Sequence, residues 1–199
     1  METTKQPLIT VVMPNYNGHR FVEQAIDSVL NQTYPNFELL VVDDCSKDDS
    51  LQLIQQKAQS DDRIRVIALE HNAGVANARN VGIKEAKGEF IALLDNDDLW
   101  TEDKLERQLA LAQKGADIVY CSYDFIDEQN NSIKKPFVVP QQTNFNKMLA
   151  SSVISCSTSF IKTELMQAHP FNPDFYHEDY VLWMELLRVC STAYGDQKV

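Results

Sequence analysis

The sequence predicts an α/β fold in which a doubly wound, mostly parallel central sheet is flanked by helices. Two observations carry this prediction: short apolar runs bounded by polar or turn residues recur along the chain, and segments of helical periodicity separate them. Uninterrupted apolar runs of this length are typical of strands buried on both faces of a parallel sheet. Their alternation with helices predicts the doubly wound arrangement.

Four strands and three helices are predicted in the first half of the chain. The strands are the apolar runs at residues 8–13, 37–42, 64–69 and 90–94. The helices carry apolar or small residues at helical spacing: Phe21, Ala25, Ile26 and Val29, then Leu51, Ile54 and Ala58, then Val75, Ala78, Val81 and Gly82. The small residues of the third set predict a helix that lies close to the sheet.

The second half is predicted with fewer regular elements. Residues 101–113 are predicted as a helix, with Thr101 as its cap and Glu102 and Asp103 near its positive end. The tail at residues 191–199 is polar and offers no closing apolar element, so we expect that a C-terminal segment is missing. The other predicted elements are a strand at residues 116–122, a polar segment with a turn at Asn130-Asn131 within residues 127–140, a Ser/Thr-rich strand or loop at residues 151–161, and an amphipathic helix at residues 180–190.

The charge balance excludes some classes of partner. The chain has 29 acidic and 18 basic residues among 199, which gives a net charge of −11. Because a duplex nucleic-acid binder presents a basic face, we expect no nucleic-acid partner. The same acidity argues against docking on anionic lipid through a polybasic surface. A ligand that carries phosphates would need a cation to meet them.

Cysteine usage and hydropathy predict a cytoplasmic location. Cys45, Cys121, Cys156 and Cys190 are scattered without a Cys-x-x-Cys pair, which favours reduced thiols over a zinc site or a disulfide scaffold. No stretch approaches the roughly 18 apolar residues of a membrane span, and residues 1–7 lack the basic flank and apolar run of a signal peptide. Peripheral membrane association and the oligomeric state are left open.

Polar residues follow each of the four predicted strands of the first half. Open α/β sheets bind ligands beyond the carboxyl ends of their strands, so these residues are expected at one edge of the sheet. The segments are residues 14–18, 43–49, 70–74 and 95–98. Scattered solvation of the surface would not be expected to sort them in this way.

The acidic segment Asp95-Asn96-Asp97-Asp98 is the sharpest of these signals. Three carboxylates within four residues repel one another unless something neutralises them. Mg²⁺ and Mn²⁺ prefer one or two carboxylates and leave positions for phosphate oxygens. The alternative is a solvated turn that caps the helix beginning near Thr101.

Three weaker signals each allow a functional and a plain reading. In the pair Asp43-Asp44, one carboxylate could accept a hydrogen bond from a ring N–H, as at N3 of uracil, while its neighbour caps the next helix; two Asx-type turn residues are the alternative. Arg79 suits phosphate recognition but could be an ordinary surface arginine. The pair Glu178-Asp179 could supply a general base or simply be acidic residues in a first helical turn.

Taken in order, four segments resemble glycosyltransferase family 2. They contain Val11-Val12-Met13-Pro14-Asn15-Tyr16-Asn17, Val41-Val42-Asp43-Asp44-Cys45-Ser46, Asn72-Ala73-Gly74 with Ala78-Arg79-Asn80 and Gly82, and Gly88-Glu89-Phe90-Ile91 leading to Asp95-Asn96-Asp97-Asp98. The similarity runs from about residue 8 to residue 187. It implies a single GT-A domain over residues 1–199, with a nucleotide-sugar half at about 1–100 and an acceptor half at about 101–199.

The resemblance also implies roles for individual residues. Pro14, Tyr16 and Asp44 would line the nucleoside pocket, with Asp44 at the uracil edge, and Asn72 and Arg79 would approach the base or the phosphates. These residues are donor-binding predictions.

A second set of implied roles concerns the metal and the reaction. Asp95, Asp97 and Asp98 match the family's DxD-type signature and would hold the sugar and a metal ion, Mn²⁺ or Mg²⁺, with Asp97 or Asp98 on the metal. Glu178 and Asp179 resemble the family's ED pair, with Asp179 as the base and Glu178 beside it at the acceptor site. The QxxRW motif of processive synthases does not follow Asp179, which favours transfer of one sugar per encounter.

The implied activity is transfer of a sugar from a nucleotide diphosphate sugar to a hydroxyl of a glycan or lipid-linked acceptor. The first candidate for the donor is a UDP-sugar. Single displacement would invert the anomeric configuration, and the implied setting is bacterial cell-surface polysaccharide synthesis at the inner face of the membrane. Two alternatives stay open: a nucleotide-sugar-binding module without catalysis, and a metal-dependent nucleotidyltransferase that releases pyrophosphate.

Overall fold

Eight strands form one mixed sheet in the computed structural model, which describes residues 6–199. The strands are β1 (Ile9–Asn15), β2 (Phe37–Asp43), β3 (Ile64–Ala68), β4 (Phe90–Leu93), β5 (Ile118–Cys121), β6 (Gln142–Thr143), β7 (Phe160–Lys162) and β8 (Ala193–Asp196). The helices are α1 (Val22–Leu30), α2 (Ser50–Ser60), α3 (Val75–Glu85), α4 (Lys104–Ala112), α5 (Phe145–Ala150), α6 (Thr163–Ala168) and α7 (Glu178–Cys190), with a 3₁₀ turn at Cys156–Thr158. The segment predicted to lack signal-peptide features is residues 1–7, and residues 1–5 lie outside the described residues.

The strand order β3-β2-β1-β4-β7-β5-β8-β6 confirms the predicted doubly wound, mostly parallel sheet. Strands β1 to β4 pair in parallel with one another. Strand β7 runs antiparallel between β4 and β5, and β6 runs antiparallel to β8. The four strands predicted in the first half lie within two residues of the observed bounds.

Helices cover both faces of the sheet. On one face α1 and α4 bury residues such as Ile26 and Leu105, and on the other α3 and α7 bury residues such as Ile83 and Trp183. Helix α3 lies close to the sheet, as its small residues predicted: a Cβ added at Gly82 would lie 2.4 Å from a Val12 side-chain methyl. Strand β3 departs from the prediction of burial on both faces, because it is an edge strand and most of its residues are partly exposed.

Two features of the second half differ from the prediction. The polar tail contains the strand β8, which pairs in parallel with β5 through backbone hydrogen bonds, and Asp196 accepts a hydrogen bond of 2.7 Å from Arg107. Thr101 does not cap α4. Its carbonyl accepts the Lys104 N–H at 3.2 Å, so the helix begins at Lys104 with Asp103 in the N-cap position.

The remaining elements of the second half follow the prediction in part. The turn at Asn130 is present, with φ of 63° there and with the Asp127 carboxylate accepting the Asn131 N–H at 2.9 Å. The Ser/Thr-rich segment divides into the 3₁₀ turn and β7. The short elements β6, α5 and α6 were not predicted, because segments of two to six residues carry too little periodicity.

All four cysteines are free thiols, as predicted. Within residues 6–199, no helix is both long enough and apolar enough to cross a membrane.

Glu38 stabilises the end of the sheet at which β1, β2 and β4 begin. Its carboxylate accepts hydrogen bonds from the Thr10 hydroxyl at 2.7 Å, the Lys87 N–H at 2.9 Å and Arg65 at 2.8 Å. Burial alone would raise the pKa of Glu38, but these hydrogen bonds outweigh it and lower the pKa. The stability that the ionised carboxylate contributes is therefore present at neutral pH and lost as pH falls through this lowered pKa.

Glu38→Gln is expected to lower the free energy of unfolding at pH 7 by about 1–3 kcal/mol, because a charge-assisted set of buried hydrogen bonds is weakened. Urea titration at a series of pH values should show the difference from wild type narrowing as pH falls below about 4.5, the ordinary value for this carboxyl. Glu85→Gln, an exposed residue whose carboxylate is 4.0 Å from the same arginine, is the control and should change little. An equal loss in both variants would contradict the assignment.

Candidate active site

All seven predicted donor-binding residues line one cleft of about 430 Å³. The cleft lies beyond the carboxyl ends of β1, β2 and β4 and beside the start of α3, where an open parallel sheet binds ligands. The seven residues are Pro14, Tyr16, Asp44, Asn72, Arg79, Asp95 and Asp97. They come from four separate segments of the chain, and the crossover connections of the sheet bring them together.

Asp44 is buried at the back of this cleft and holds the loop between β3 and α3. Its two carboxylate oxygens accept the N–H groups of Ala73 and Gly74 at 2.7 and 2.8 Å. Asn72 donates to the Asp44 carbonyl at 3.3 Å, and Gly74 takes a φ of 86°, which favours glycine. A carboxylate has about four acceptor sites, so Asp44 can accept a further hydrogen bond from a ligand.

A buried polar network beside Asp44 connects the strand ends. Asn15 donates to the Asp43 carboxylate at 2.7 Å and accepts a hydrogen bond from Asn96 at 2.7 Å. The prediction that one of the pair Asp43-Asp44 caps the next helix is wrong: the carboxylate of Asp43 accepts the Ser46 N–H at 3.0 Å within the loop, and Asp48 accepts the N–H at the start of α2. Asn15 and Asn96 also line the cleft, and their position directly at strand ends is the sequence signal that could have identified them.

Arg79 joins this cleft, the candidate donor cleft, to the N-terminus of α7. Its guanidinium donates to Asp95 at 2.7 Å and to Glu178 at 2.9 Å. The interpretation of Arg79 as an ordinary surface arginine is wrong, because Arg79 is only 5% exposed. Burial alone would lower the pKa of Arg79, but the neighbouring acidic groups raise it, so the side chain is a permanent cation.

The contacts of Arg79 leave one donor without a partner. Within residues 6–199, Nε of Arg79 has no hydrogen-bond acceptor. The guanidinium lies 5.3 Å from the centre of the Phe171 ring, an arrangement that favours a cation. Asn80 fixes Phe171 by exchanging two hydrogen bonds of 2.8 Å with its backbone.

The acidic turn after β4, residues 95–98, is hydrogen-bonded to the 3₁₀ turn. The Asp95 N–H donates to the Ser157 hydroxyl at 3.0 Å, and the Asp98 N–H donates to the Asp95 carbonyl at 3.1 Å. Packing around the exposed side chain of Asp98 shields its carboxyl in part and raises its pKa, and the charges of Asp95 and Asp97 raise it further, although the Ser157 hydroxyl lowers it in part. The three acidic side chains therefore repel one another, a repulsion that a bound cation would relieve.

The described residues could supply some, but not all, of the ligands of a metal ion. Within residues 6–199, no group of three or more His, Cys, Asp or Glu side chains is arranged to hold a metal ion. Mg²⁺ and Mn²⁺ sites on nucleotides need no such cage, because one or two carboxylates suffice when phosphates supply the other oxygens. The crowded pair Asp97 and Asp98 can supply those carboxylates.

Glu178 and Asp179 open α7, and the two carboxylates differ in their contacts. Glu178 is paired with Arg79, whereas a carboxylate oxygen of Asp179 accepts only the N–H of the next residue, at 2.7 Å, among the described residues. Neither lines the donor cleft, but Asp95, Glu178 and Asp179 all lie near Cys156, where burial and their charges raise the pKa of the thiol. Cys156 is therefore a neutral, inert thiol between the acidic turn and α7.

A second cavity of about 700 Å³ meets the donor cleft at Asp97. It lies between the acidic turn, the start of α4 and the segment that follows β5. Ser155, Ser157 and Thr158 line one side, and Asn130 and Ile133 line another.

Comparison with known proteins gives a single family. The model described as glycosyl transferase family 2 matches residues 10–168. A protein named as a candidate teichuronic acid biosynthesis glycosyltransferase, TuaG of Bacillus subtilis (strain 168), is 34% identical over 97% of this chain and 77% of its own length. A protein of Escherichia coli named UDP-Glc:alpha-D-GlcNAc-diphosphoundecaprenol beta-1,3-glucosyltransferase, WfgD, is 41% identical over 91% of this chain and 70% of its own.

Solved structures share the fold at lower sequence identity. Staphylococcus aureus TarS 1–349 in complex with UDP superposes with a TM-score of 0.83 at 23% identity and covers 96% of this chain. The mannosyltransferase PcManGT from Pyrobaculum calidifontis, in complex with GDP-Man and Mn²⁺, gives a TM-score of 0.76 at 22% identity and covers 98%. The chain spans 58% of the TarS structure and 56% of PcManGT. These likenesses show that the fold is that of GT-A glycosyltransferases.

Proposed function

Because the chain belongs to glycosyl transferase family 2, we propose that it transfers one sugar, with inversion, from a UDP-sugar to a hydroxyl of a lipid-linked saccharide. A single observation supports this most: seven predicted donor-binding residues line one cleft, and Arg79 connects that cleft to the Glu178-Asp179 pair. Relatives named as glycosyltransferases also favour this activity over the nucleotidyltransferase alternative.

The proposed donor and acceptor follow the more similar relatives. WfgD is named for UDP-glucose as donor and for GlcNAc-diphosphoundecaprenol as acceptor, and TarS structures contain UDP and UDP-GlcNAc. UDP-glucose is therefore the first donor to test, and a GlcNAc linked through diphosphate to a lipid is the first acceptor. Such an acceptor would bring the protein to the cytoplasmic face of the membrane as a peripheral enzyme.

The donor would lie in the cleft between the strand ends. Pro14 and Tyr16 would flank the nucleoside, Asp44 would accept the uracil N3–H, and Asn72 would lie beside the base. Asp95 and Asp97 would lie beside the diphosphate and the sugar of the donor. A UDP-sugar adds about two negative charges to a chain of net charge −11, so a divalent cation held by Asp97 and Asp98 would offset this charge and act as a Lewis acid toward the leaving diphosphate.

In the proposed reaction, Asp179 takes the proton from the acceptor hydroxyl as its oxygen attacks the anomeric carbon. The bond from that carbon to the diphosphate oxygen breaks with its electron pair, so UDP leaves and the configuration inverts in one step. The transition state is expected to have oxocarbenium character, by analogy with glycoside hydrolysis. Arg79 holds Asp95 and Glu178 together. The half of the chain at about 1–100 would bind the donor, and the half at about 101–199 would bind the acceptor.

Calorimetric titration of UDP with and without Mn²⁺, on wild type and Asp98→Ala, tests the donor site. We expect Mn²⁺ to strengthen UDP binding to the wild type, and Asp98→Ala to weaken it about tenfold in Mn²⁺ because a candidate metal ligand is lost. In EDTA the two proteins should bind UDP alike.

The matched control is Asp62→Ala, an exposed aspartate between α2 and β3 that lines neither cavity. It should behave as wild type in both conditions. Tight UDP binding that is indifferent to Mn²⁺ and to Asp98→Ala would contradict the metal site and leave the nucleotide pocket, whereas absence of UDP binding would contradict the proposed donor.

A further inference from the structure

The second cavity holds a buried cation, Lys104, that forms no ion pair among the described residues. Lys104 lines this cavity and is only 3% exposed. Its Nζ lies 2.6 Å from Gln108 Oε1 and 3.9 Å from the centre of the Trp100 ring, and within residues 6–199 no carboxylate lies within salt-bridge distance of it. Burial lowers the pKa of Lys104 to about 8.

An ammonium group has three N–H donors, and Gln108 accepts only one of them. Trp100 offers a ring face to the charge but no hydrogen-bond acceptor of ordinary strength. A buried cation with so few partners is costly unless something else completes its surroundings. An oxygen atom of a ligand in the cavity would do so.

The rest of the cavity wall combines aromatic and acidic side chains. The aromatic lining residues are Trp100, Tyr123 and Phe125, and the acidic ones are Asp97, Asp98 and Asp124. Two further cations at the wall, Arg107 and Lys198, are already paired with acidic residues of the protein.

This wall suits a particular chemistry. A pyranose ring presents an apolar C–H face, which packs on aromatic rings, and a rim of hydroxyls, which donate to carboxylates and accept from an ammonium group. Asp124, the carboxylate of the wall that has no proposed metal role, would repel an anionic sugar, so the wall favours a neutral one.

The cavity also lies where an acceptor is needed. It meets the donor cleft at Asp97, and its lining residues Ser155 and Ser157 flank Cys156, the residue that lies near Asp179. A ring at the mouth of the cavity would therefore lie beside the proposed donor sugar.

We propose that this cavity binds a neutral saccharide ring of the acceptor and that Lys104 donates a hydrogen bond to one of its oxygens. The inference rests on the proposed function, because the transfer requires an acceptor beside the donor sugar. It goes further by assigning the acceptor site to a specific cavity and by naming the residue that recognises the ring.

Saturation-transfer NMR on the full chain, saturated with UDP and Mg²⁺, tests the inference. The probes are methyl glycosides of glucose, galactose and N-acetylglucosamine, with methyl glucuronide as the anionic comparison. We expect saturable binding of at least one neutral glycoside and weaker binding of the glucuronide.

Two cavity variants are each paired with a control. Lys104→Met removes the charge at similar length, and Lys114→Met changes an exposed lysine just beyond the same helix. Ile133→Trp adds bulk at the cavity rim, and Val138→Trp adds it at an equally exposed position, 57% in both cases, that does not line the cavity. The cavity variants should raise the glycoside Kd about tenfold, and the controls should leave it unchanged.

UDP titration on the same proteins separates this inference from the proposed function. UDP binding without any neutral glycoside binding, or with glycoside binding indifferent to both cavity variants, would overturn the inference alone, and so would tighter binding of the glucuronide. Absence of UDP binding to the wild type would instead overturn the proposed donor. If Lys104→Met does not fold, Ile133→Trp with its control decides the matter, because its position is at the surface.

Discussion

Asp179→Asn is expected to lower kcat for sugar transfer about 10²–10⁴-fold while leaving the Kd for UDP unchanged. Asparagine has nearly the same shape and can still accept the N–H that Asp179 accepts now, at 2.7 Å from Tyr180. It cannot take a proton from an acceptor hydroxyl at neutral pH. Because Asp179 does not line the donor cleft, nucleotide binding should survive.

Initial-rate measurements of UDP release, with UDP-glucose and a lipid-diphosphate GlcNAc acceptor, would measure this loss. Asp174→Asn is the control: it makes the same chemical change in the exposed segment before α7 and should keep full activity. Full activity of Asp179→Asn would remove Asp179 as the base. If the wild type bound UDP but transferred no sugar to any acceptor, the binding-module alternative would be favoured.

The residues that line the donor cleft could be predicted from the sequence, because their position depends only on where the strands end. In a parallel sheet, a residue directly after a strand lies at the same edge as every other such residue, whatever the exact register. Asp44 follows β2 and Asp95 follows β4 closely, so recognising the strands was enough to bring both to one cleft. An error of one or two residues in a strand boundary does not change that result.

The partners of Arg79 could not be predicted, because they depend on how distant elements pack. Arg79 and Glu178 are 99 residues apart, and they meet only when α7 packs beside α3. The support of Asp95 by Ser157 spans 62 residues and requires the antiparallel strand β7 to lie next to β4. No local pattern in the sequence encodes either arrangement.

Strand β8 shows the same limit in a different way. The segment Ala193–Asp196 contains two residues that strands usually disfavour, Gly195 and Asp196. It becomes a strand because β5 offers an edge with unpaired backbone groups, to which it adds in parallel. Its partner, rather than its own pattern, decides its conformation.

The second large effect is expected at Arg79, where the structure suggests a different role from the one implied by the sequence. The sequence implied that Arg79 contacts phosphates, whereas the structure pairs it with Asp95 and Glu178. These two roles predict different results for Arg79→Lys. Lysine keeps the positive charge but loses the planar fork that reaches two carboxylates at once. If Arg79 mainly holds the two carboxylates, Arg79→Lys should lower kcat and change the Kd for UDP little; if it mainly binds phosphate, the Kd for UDP should rise and kcat should change less.

Arg79→Met is expected to lower the free energy of unfolding by about 3 kcal/mol, because it leaves Asp95 and Glu178 without their shared cation in a partly buried place. Adding Glu178→Gln to Arg79→Met should recover part of this stability, since one of the uncompensated charges is then removed. It should not recover kcat, because α7 would still lack its attachment to the acidic turn.

The control for stability is Arg65→Met, which also removes an arginine placed between two acidic residues, Glu38 and Glu85, but far from both cavities. Urea unfolding should show a loss for Arg65→Met as well, while kcat and the Kd for UDP stay at wild-type values. Equal losses of kcat in Arg65→Met and Arg79→Met would mean that instability alone explains the effect. A loss of kcat confined to Arg79 would mean that the proposed donor site and the proposed base act as one unit, because a single cation fixes the distance between them.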